Sequence, residues 1–110
     1  MSQVCTIDTI RTLAFGSISG AFAEVGAVTT NATRLICITN NTDGDMFFSY
    51  DGINNMLFVA AGSFKLFDIC SNRDDYNGAY LLSSQMQWYV KQSTAPSKGA
   101  VYIEVLYGEP

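Results

Sequence analysis

The stretch from Arg34 to Asp68 constrains the chain most. It reads as successive short apolar runs separated by reversal signals, Asn40-Asn41-Thr42-Asp43-Gly44-Asp45, Asp51-Gly52-Ile53-Asn54-Asn55 and Ala61-Gly62. Apolar and polar residues alternate with a period of two wherever a pattern is readable, and no apolar stripe recurs at helical spacing. The expected class is therefore all-β. Asn and Asp bond locally to backbone and glycine reaches left-handed angles without steric cost, so Asn40–Asp45 is expected to close a hairpin from Arg34–Asn40 into Met46–Tyr50. In Arg34–Asn40, Leu35 and Cys37 fall on one face and Ile36 and Ile38 on the other, the pattern of a strand covered on both sides.

Further strands are expected at Leu57–Ala60, Phe64–Cys70 and, briefly, Tyr80–Leu82, with Ser71–Gly78 as a polar exposed loop. The last third reads as a second hairpin. Met86, Trp88 and Val90 alternate against Gln87, Tyr89 and Lys91, then Val101, Ile103 and Val105 against Tyr102, Glu104 and Leu106, across the loop Ser93–Gly99. The N-terminal third is weaker: a strand near Thr6–Arg11, then Leu13–Ser19 and Ala21–Thr29, broken by Gly16, Gly20 and Gly26. Seven to eight strands with turns at such intervals predict one domain over residues 1–110, an antiparallel two-sheet β-sandwich of jelly-roll or immunoglobulin-like type. Residues 1–33, rich in Gly, Ala, Ser and Thr, are expected to form in part an extended N-terminal arm.

Composition narrows the function. Only 15% of the 110 residues are charged while 48% are hydrophobic, against roughly a quarter charged in ordinary soluble domains. Apolar surface in excess of what a small domain buries is expected to be covered by neighbours, which favours a homo-oligomer or larger assembly. The six basic residues (Arg11, Arg34, Lys65, Arg73, Lys91 and Lys98) stand singly among ten acidic ones for a net charge of −4. Nucleic acid is not an expected partner, because phosphate neutralisation needs clustered cations. Nor is a membrane: no apolar run approaches the length of a spanning helix, and the start Met-Ser-Gln-Val-Cys-Thr-Ile-Asp has neither the basic nor the apolar region of an export signal. Cys5, Cys37 and Cys70 lie far apart without a Cys-x-x-Cys pair, and are expected to be reduced thiols behaving as small apolar residues.

Histidine is absent, which removes Ser-His-Asp and Cys-His catalysis and the commonest general base near neutral pH. Asp51 and Asp68 are the carboxylates from which a glycosidase-type pair would be drawn, but turn capping explains Asp51 better and a strand end explains Asp68. No enzyme activity and no cofactor are expected. Asp43 and Asp45 offer hard oxygen ligands for calcium, yet lack the spacing of an EF-hand loop, and a turn is the simpler account. Trp88 is expected in the core. Tyr89 and Tyr102, turned outward with Lys91 and Glu104, join Leu106, Tyr76 and Tyr80 as candidate interface residues. A carbohydrate-binding module using Tyr76, Tyr80 or Tyr89, with calcium at Asp43 and Asp45, is the alternative from a different class.

Three segments carry a resemblance: Arg34–Gly52, Ala60–Asp68 and Gln87–Glu109, with Arg-Leu-Ile-Cys-Ile-Thr-Asn-Asn-Thr-Asp-Gly-Asp-Met-Phe-Phe-Ser-Tyr-Asp-Gly as the longest. In strand and turn pattern they resemble small β-sandwich virion structural proteins of tailed bacteriophages. The resemblance implies a structural protein made in the host cytoplasm and residing in the virion. Its partners would be phage capsid proteins, which it decorates or cements, or, as the alternative, neck, collar or tail proteins at the portal vertex.

Overall fold

The computed structural model describes residues 4–30, 33–68 and 85–109. Nine strands are present among them, one or two more than expected: β1 (Val4–Ile7), β2 (Arg11–Ala14), β3 (Ala23–Glu24), β4 (Thr33–Thr42), β5 (Met46–Ser49), β6 (Leu57–Val59), β7 (Phe64–Asp68), β8 (Tyr89–Gln92) and β9 (Gly99–Glu109). A single 3₁₀ turn, Phe15–Ser17, follows β2. The strands form two antiparallel sheets. In the five-stranded sheet the order is β1-β9-β4-β7, with β2 pairing along the same edge of β9 as β1; in the four-stranded sheet it is β3-β8-β5-β6.

Taken with β2 at the edge of β9, the two orders β2-β9-β4-β7 and β3-β8-β5-β6 are those of a jelly roll, in which nearly every connection passes from one sheet to the other. The expected two-sheet antiparallel sandwich is thus what the chain forms, and the jelly-roll member of the expected pair is the one its topology matches. Two expected hairpins are not hairpins. The Asn40–Asp45 turn carries the chain from β4 in one sheet to β5 in the other, and the Ser93–Lys98 connection carries it from β8 to β9 across the sandwich. Among the described strands only β5 and β6, joined through residues 50–56, pair as consecutive neighbours, with Met46 opposite Val59 and Phe48 opposite Leu57.

Of the N-terminal third, the described strands β1, β2 and β3 pair into the two sheets. β1 pairs with residues 106–109 of β9 and β2 with residues 100–103, so the expected strand at Thr6–Arg11 is split at Asp8–Ile10. The expected strand at Leu13–Ser19 ends at Ala14, and Ala21–Thr29 reduces to β3, although Val25 and Thr29 continue to bond the backbone of Trp88 and Met86. The expected Tyr80–Leu82 strand, the Ser71–Gly78 loop, Cys70 and the end of the Phe64–Cys70 strand lie outside the described residues.

Period-two alternation builds the core as expected. Ile36 and Ile38 of β4, Phe48 and Met46 of β5, Val59, Val90, and Val101, Ile103 and Val105 of β9 pack between the sheets with Trp88, Met86 and Val25. Trp88 is buried there and meets the Tyr50 ring edge to face at 6.1 Å between centroids. The opposite side of β4 departs from expectation, because Leu35 and Cys37 are only half-buried.

One end of the sandwich gathers three sheet-to-sheet crossings, and its polar residues explain how. Asn40 is fully buried; its Nδ2 donates to the carbonyls of Gly44 (2.8 Å) and Val59 (2.9 Å), while its Oδ1 accepts from the backbone N–H (3.1 Å) and hydroxyl (2.6 Å) of Thr42. A strand of one sheet is thereby bonded to a strand of the other, with every buried polar atom of the amide satisfied. Gly44 serves close approach and not a left-handed angle, since its φ is not positive: a Cβ there would sit 2.3 Å from the carbonyl oxygen of Thr94. On β2 Arg11, also buried, donates to Asp8 (3.0 Å) and to the carbonyls of Ala27 (2.7 Å) and Val28 (3.4 Å), closing β2 against the segment that leads from β3 toward β4.

Candidate functional site

The outer face of the five-stranded sheet follows directly from the register. Residues opposite one another on antiparallel neighbours share a face, which places Ile7, Leu106, Leu35 and Asp68 in one row, Glu104, Cys37 and Leu66 in the next, and Thr12, Tyr102, Thr39 and Phe64 in the third. The inner positions between them supply the core, so this face is turned to solvent. It is nevertheless largely apolar: Ile7 is 77%, Phe64 64% and Leu66 54% exposed, and Leu35, Cys37, Tyr102 and Leu106 are half-buried. Most antiparallel sheets with one solvated face carry polar residues there. Between β1, β9 and β4 the surface dips into a groove of about 240 Å³ lined by Ile7, Leu35, Cys37, Glu104, Val105 and Leu106.

Two of the expected interface residues, Tyr102 and Leu106, are on this face. Tyr89 is on the outer side of the other sheet, where its ring packs over Gly52, close enough that a Cβ at that glycine would lie 3.2 Å from it. The structure therefore does not bring Tyr89 together with Tyr102. Tyr76 and Tyr80 fall outside the described residues. Sequence reasoning missed Ile7, Leu35, Phe64 and Leu66. Their signal was present in the alternation of Phe64 and Leu66 with Lys65 and Phe67, but it does not say which of the two faces is inside.

The second outer face is differently built. Phe47 and Phe58 meet edge to face at 5.5 Å, and the ammonium of Lys91 sits 4.8 Å from the centre of the Phe22 ring and 5.9 Å from that of Phe47. This cation–π arrangement sets the lysine stem and charge over the Phe22 and Phe47 rings, whereas Phe58 stays 44% exposed.

The carboxylates named from sequence have structural partners. Asp51 accepts from the Ser49 hydroxyl (2.7 Å), the backbone N–H groups of Ile53 (2.8 Å) and Asn54 (2.9 Å), and the Asn54 side chain (2.8 Å). The Ser49 hydroxyl above all, then those N–H groups, hold its carboxyl far below the usual carboxylate range. A glycosidase general acid needs the opposite shift. Asp68 ends β7 on the other sheet and is engaged in an interaction of its own. Asp43 accepts from the hydroxyl and backbone N–H of Ser97, which lower its pKa in that order, and Asp45 accepts from the N–H of Ala61 at 2.9 Å. These two acids staple the crossings β8–β9 and β6–β7 to the β4–β5 crossing. Among the described residues no group of three or more acidic, Cys or His side chains is placed to hold a cation.

Two other concavities lie among the described residues. An apolar recess of about 170 Å³ is lined by Ile36, Tyr50, Met56, Leu57, Phe67, Met86 and Trp88. A groove beside Arg11 and Asp8 has its guanidinium already committed to Asp8 and three carbonyls. Of the thiols, Cys37 is free and half-buried on the outer face of the five-stranded sheet.

The chain matches no protein-family model, and no curated protein is similar to it.

Proposed function

We propose that this protein is a structural docking protein that works through the outer face of its five-stranded sheet, and that its setting is the capsid of a tailed bacteriophage, which it decorates or cements by contacts with major capsid subunits. The observation that carries the docking role is the exposure of Ile7, Phe64 and Leu66 in continuous rows with Leu35, Cys37, Tyr102 and Leu106. Large contiguous apolar surface on a soluble domain marks a contact site, and each such side chain gains about 1.5–3 kcal/mol when taken fully out of water. The jelly roll supports the virion setting by analogy of fold, since capsid proteins are among its hosts, alongside lectins and cupins. The strand-and-turn resemblance of Arg34–Gly52, Ala60–Asp68 and Gln87–Glu109 adds to it.

Purified particles test the setting. A decoration protein is recovered with the particles in a copy number that scales with the major capsid protein, whereas a collar or tail component is recovered in the number of a single ring. A protein that stays wholly in the particle-free fraction is not a virion component. The docking role is tested separately by Leu66→Glu, which is expected to leave the fold intact and abolish particle binding.

A further inference from the structure

We infer, on the basis of the docking role proposed above, that the partner is a different protein whose apolar patch carries a lysine or arginine near its centre, and that Glu104 both receives that cation and keeps two copies of this chain apart. Glu104 is exposed in the middle row of the face. Cys37 and Leu66 continue that row, Tyr102 and Leu106 flank it along β9, and its side chain contributes to the groove with Ile7 and Leu35. Among the described residues no side chain or backbone group donates to its carboxylate. A partner that covers the face therefore takes an ionised carboxylate out of water, which is costly unless the partner returns a charged donor.

Among the described residues, the three rows of a second copy's face offer no cation. Arg11 is turned inward and held by Asp8, Lys65 is on the inner side of β7 opposite Ile38, Lys91 is on the other sheet against Phe22, and Lys98 is in the β8–β9 crossing. Arg34, beside the register shift at the start of β4, is engaged in an interaction of its own. The facing surface of a twin would instead present another Glu104 and another Asp68. Charge complementarity thus selects a basic, non-identical partner and opposes self-association.

The probe is the Glu104→Lys variant of this chain, which carries the same apolar face with a cation at its centre. Wild type and Glu104→Lys are each expected to sediment as monomers at neutral pH, and their equimolar mixture to form a 1:1 complex that weakens about tenfold from low to high salt. Glu104→Leu is expected to self-associate, and Glu104→Leu with Leu66→Lys to return to monomer, which locates the contact on this face. Thermal melts of each variant confirm that folding is unchanged. A wild-type dimer dissolved by Leu66→Lys overturns the basic partner but leaves the face as a docking surface. A mixture no more associated than its components, while Glu104→Leu dimerises, overturns the cation assignment alone. A Glu104→Leu chain that stays monomeric beside an unassociated mixture removes the docking face itself.

Discussion

Trp88 and Asn40 show how differently two buried residues can be written in a sequence. Trp88 sits in a run where Met86 and Val90 share its side, and it is buried as that spacing predicts. Trp88→Ala is expected to cost about 3–5 kcal/mol through the cavity it opens, measured as a shift in the urea midpoint at unchanged slope. Asn40 reads as a turn residue, because the chemistry that lets asparagine bond backbone in a turn is the same chemistry that satisfies it inside the protein. Only the fold shows that its amide bridges the two sheets. Asn40→Leu removes the side-chain donor to the carbonyls of Gly44 and Val59, of which Gly44 keeps the Thr42 hydroxyl, and is expected to cost about 1–3 kcal/mol for the buried group left without that donor; a variant of wild-type stability would mean that the amide is replaceable there. Asp51 supplies the pH dependence. Its folded pKa lies below the ordinary 3.8, so its contribution is present above that value and is lost as pH falls through the lower folded pKa. Unfolding midpoints of wild type and Asp51→Asn are therefore expected to differ at neutral pH and to converge in acid below about 3.8, and a gap constant across that range would show that the charge plays no part.

At the scale of strands, where each one lies was more legible than what it pairs with. β5, β6 and β8 fall within the runs that alternation marks, and β4 and β9 contain theirs and extend past both ends, because alternation reports the buried face of each strand. Pairing is not local. The segments 43–45 and 93–98 carry ordinary reversal chemistry, and the same Asn, Asp, Gly and Pro serve a hairpin or a crossing between sheets equally well. In a jelly roll most connections cross, so the assumption that sequential strands are neighbours failed at both places where it was made. The N-terminal strands were poorly legible for a different reason: β2 and β3 are short, and their pairing comes from β9 and β8, far away in sequence. Gly44 illustrates the consequence for mutation. It was expected to need a left-handed angle, whereas what it needs is room against the β8–β9 connection. Gly44→Val is expected to destabilise strongly, by roughly 2–4 kcal/mol as overpacking against fixed backbone. Gly20→Ala, where a Cβ meets nothing within 4 Å, is expected to be nearly neutral. Equal thermal midpoints for the two variants would mean that the crossings are not held against one another.

The whole molecule presents two unequal outer surfaces, and the inequality was half visible in composition. A chain with 15% charged residues lacks the polar groups to cover two sheet faces, but composition does not say which face is left bare. On the four-stranded sheet Lys91 lies over the Phe22 and Phe47 rings and Tyr89 packs over the 52 turn, while Phe58 stays 44% exposed. On the five-stranded sheet Phe64, Leu66 and Ile7 have no such cover, while Lys65, on the inward side of β7, places a charge where a continuing sheet would need an apolar residue. Inward charges of this kind discourage edge-to-edge pairing, which leaves the face rather than the edge as the means of association. The two surfaces can be separated experimentally. Phe64→Ser with Leu66→Glu removes only solvent-exposed apolar area, so stability is expected to stay within about 0.5 kcal/mol per site while particle binding is lost. Phe58→Ser on the opposite sheet, an equally simple loss of exposed aromatic surface, is expected to leave binding intact. Were Phe58→Ser to abolish binding and the five-stranded-sheet variant to retain it, docking would belong to the cation–π face, and the bare rows of Ile7, Leu66 and Phe64 would need another occupant.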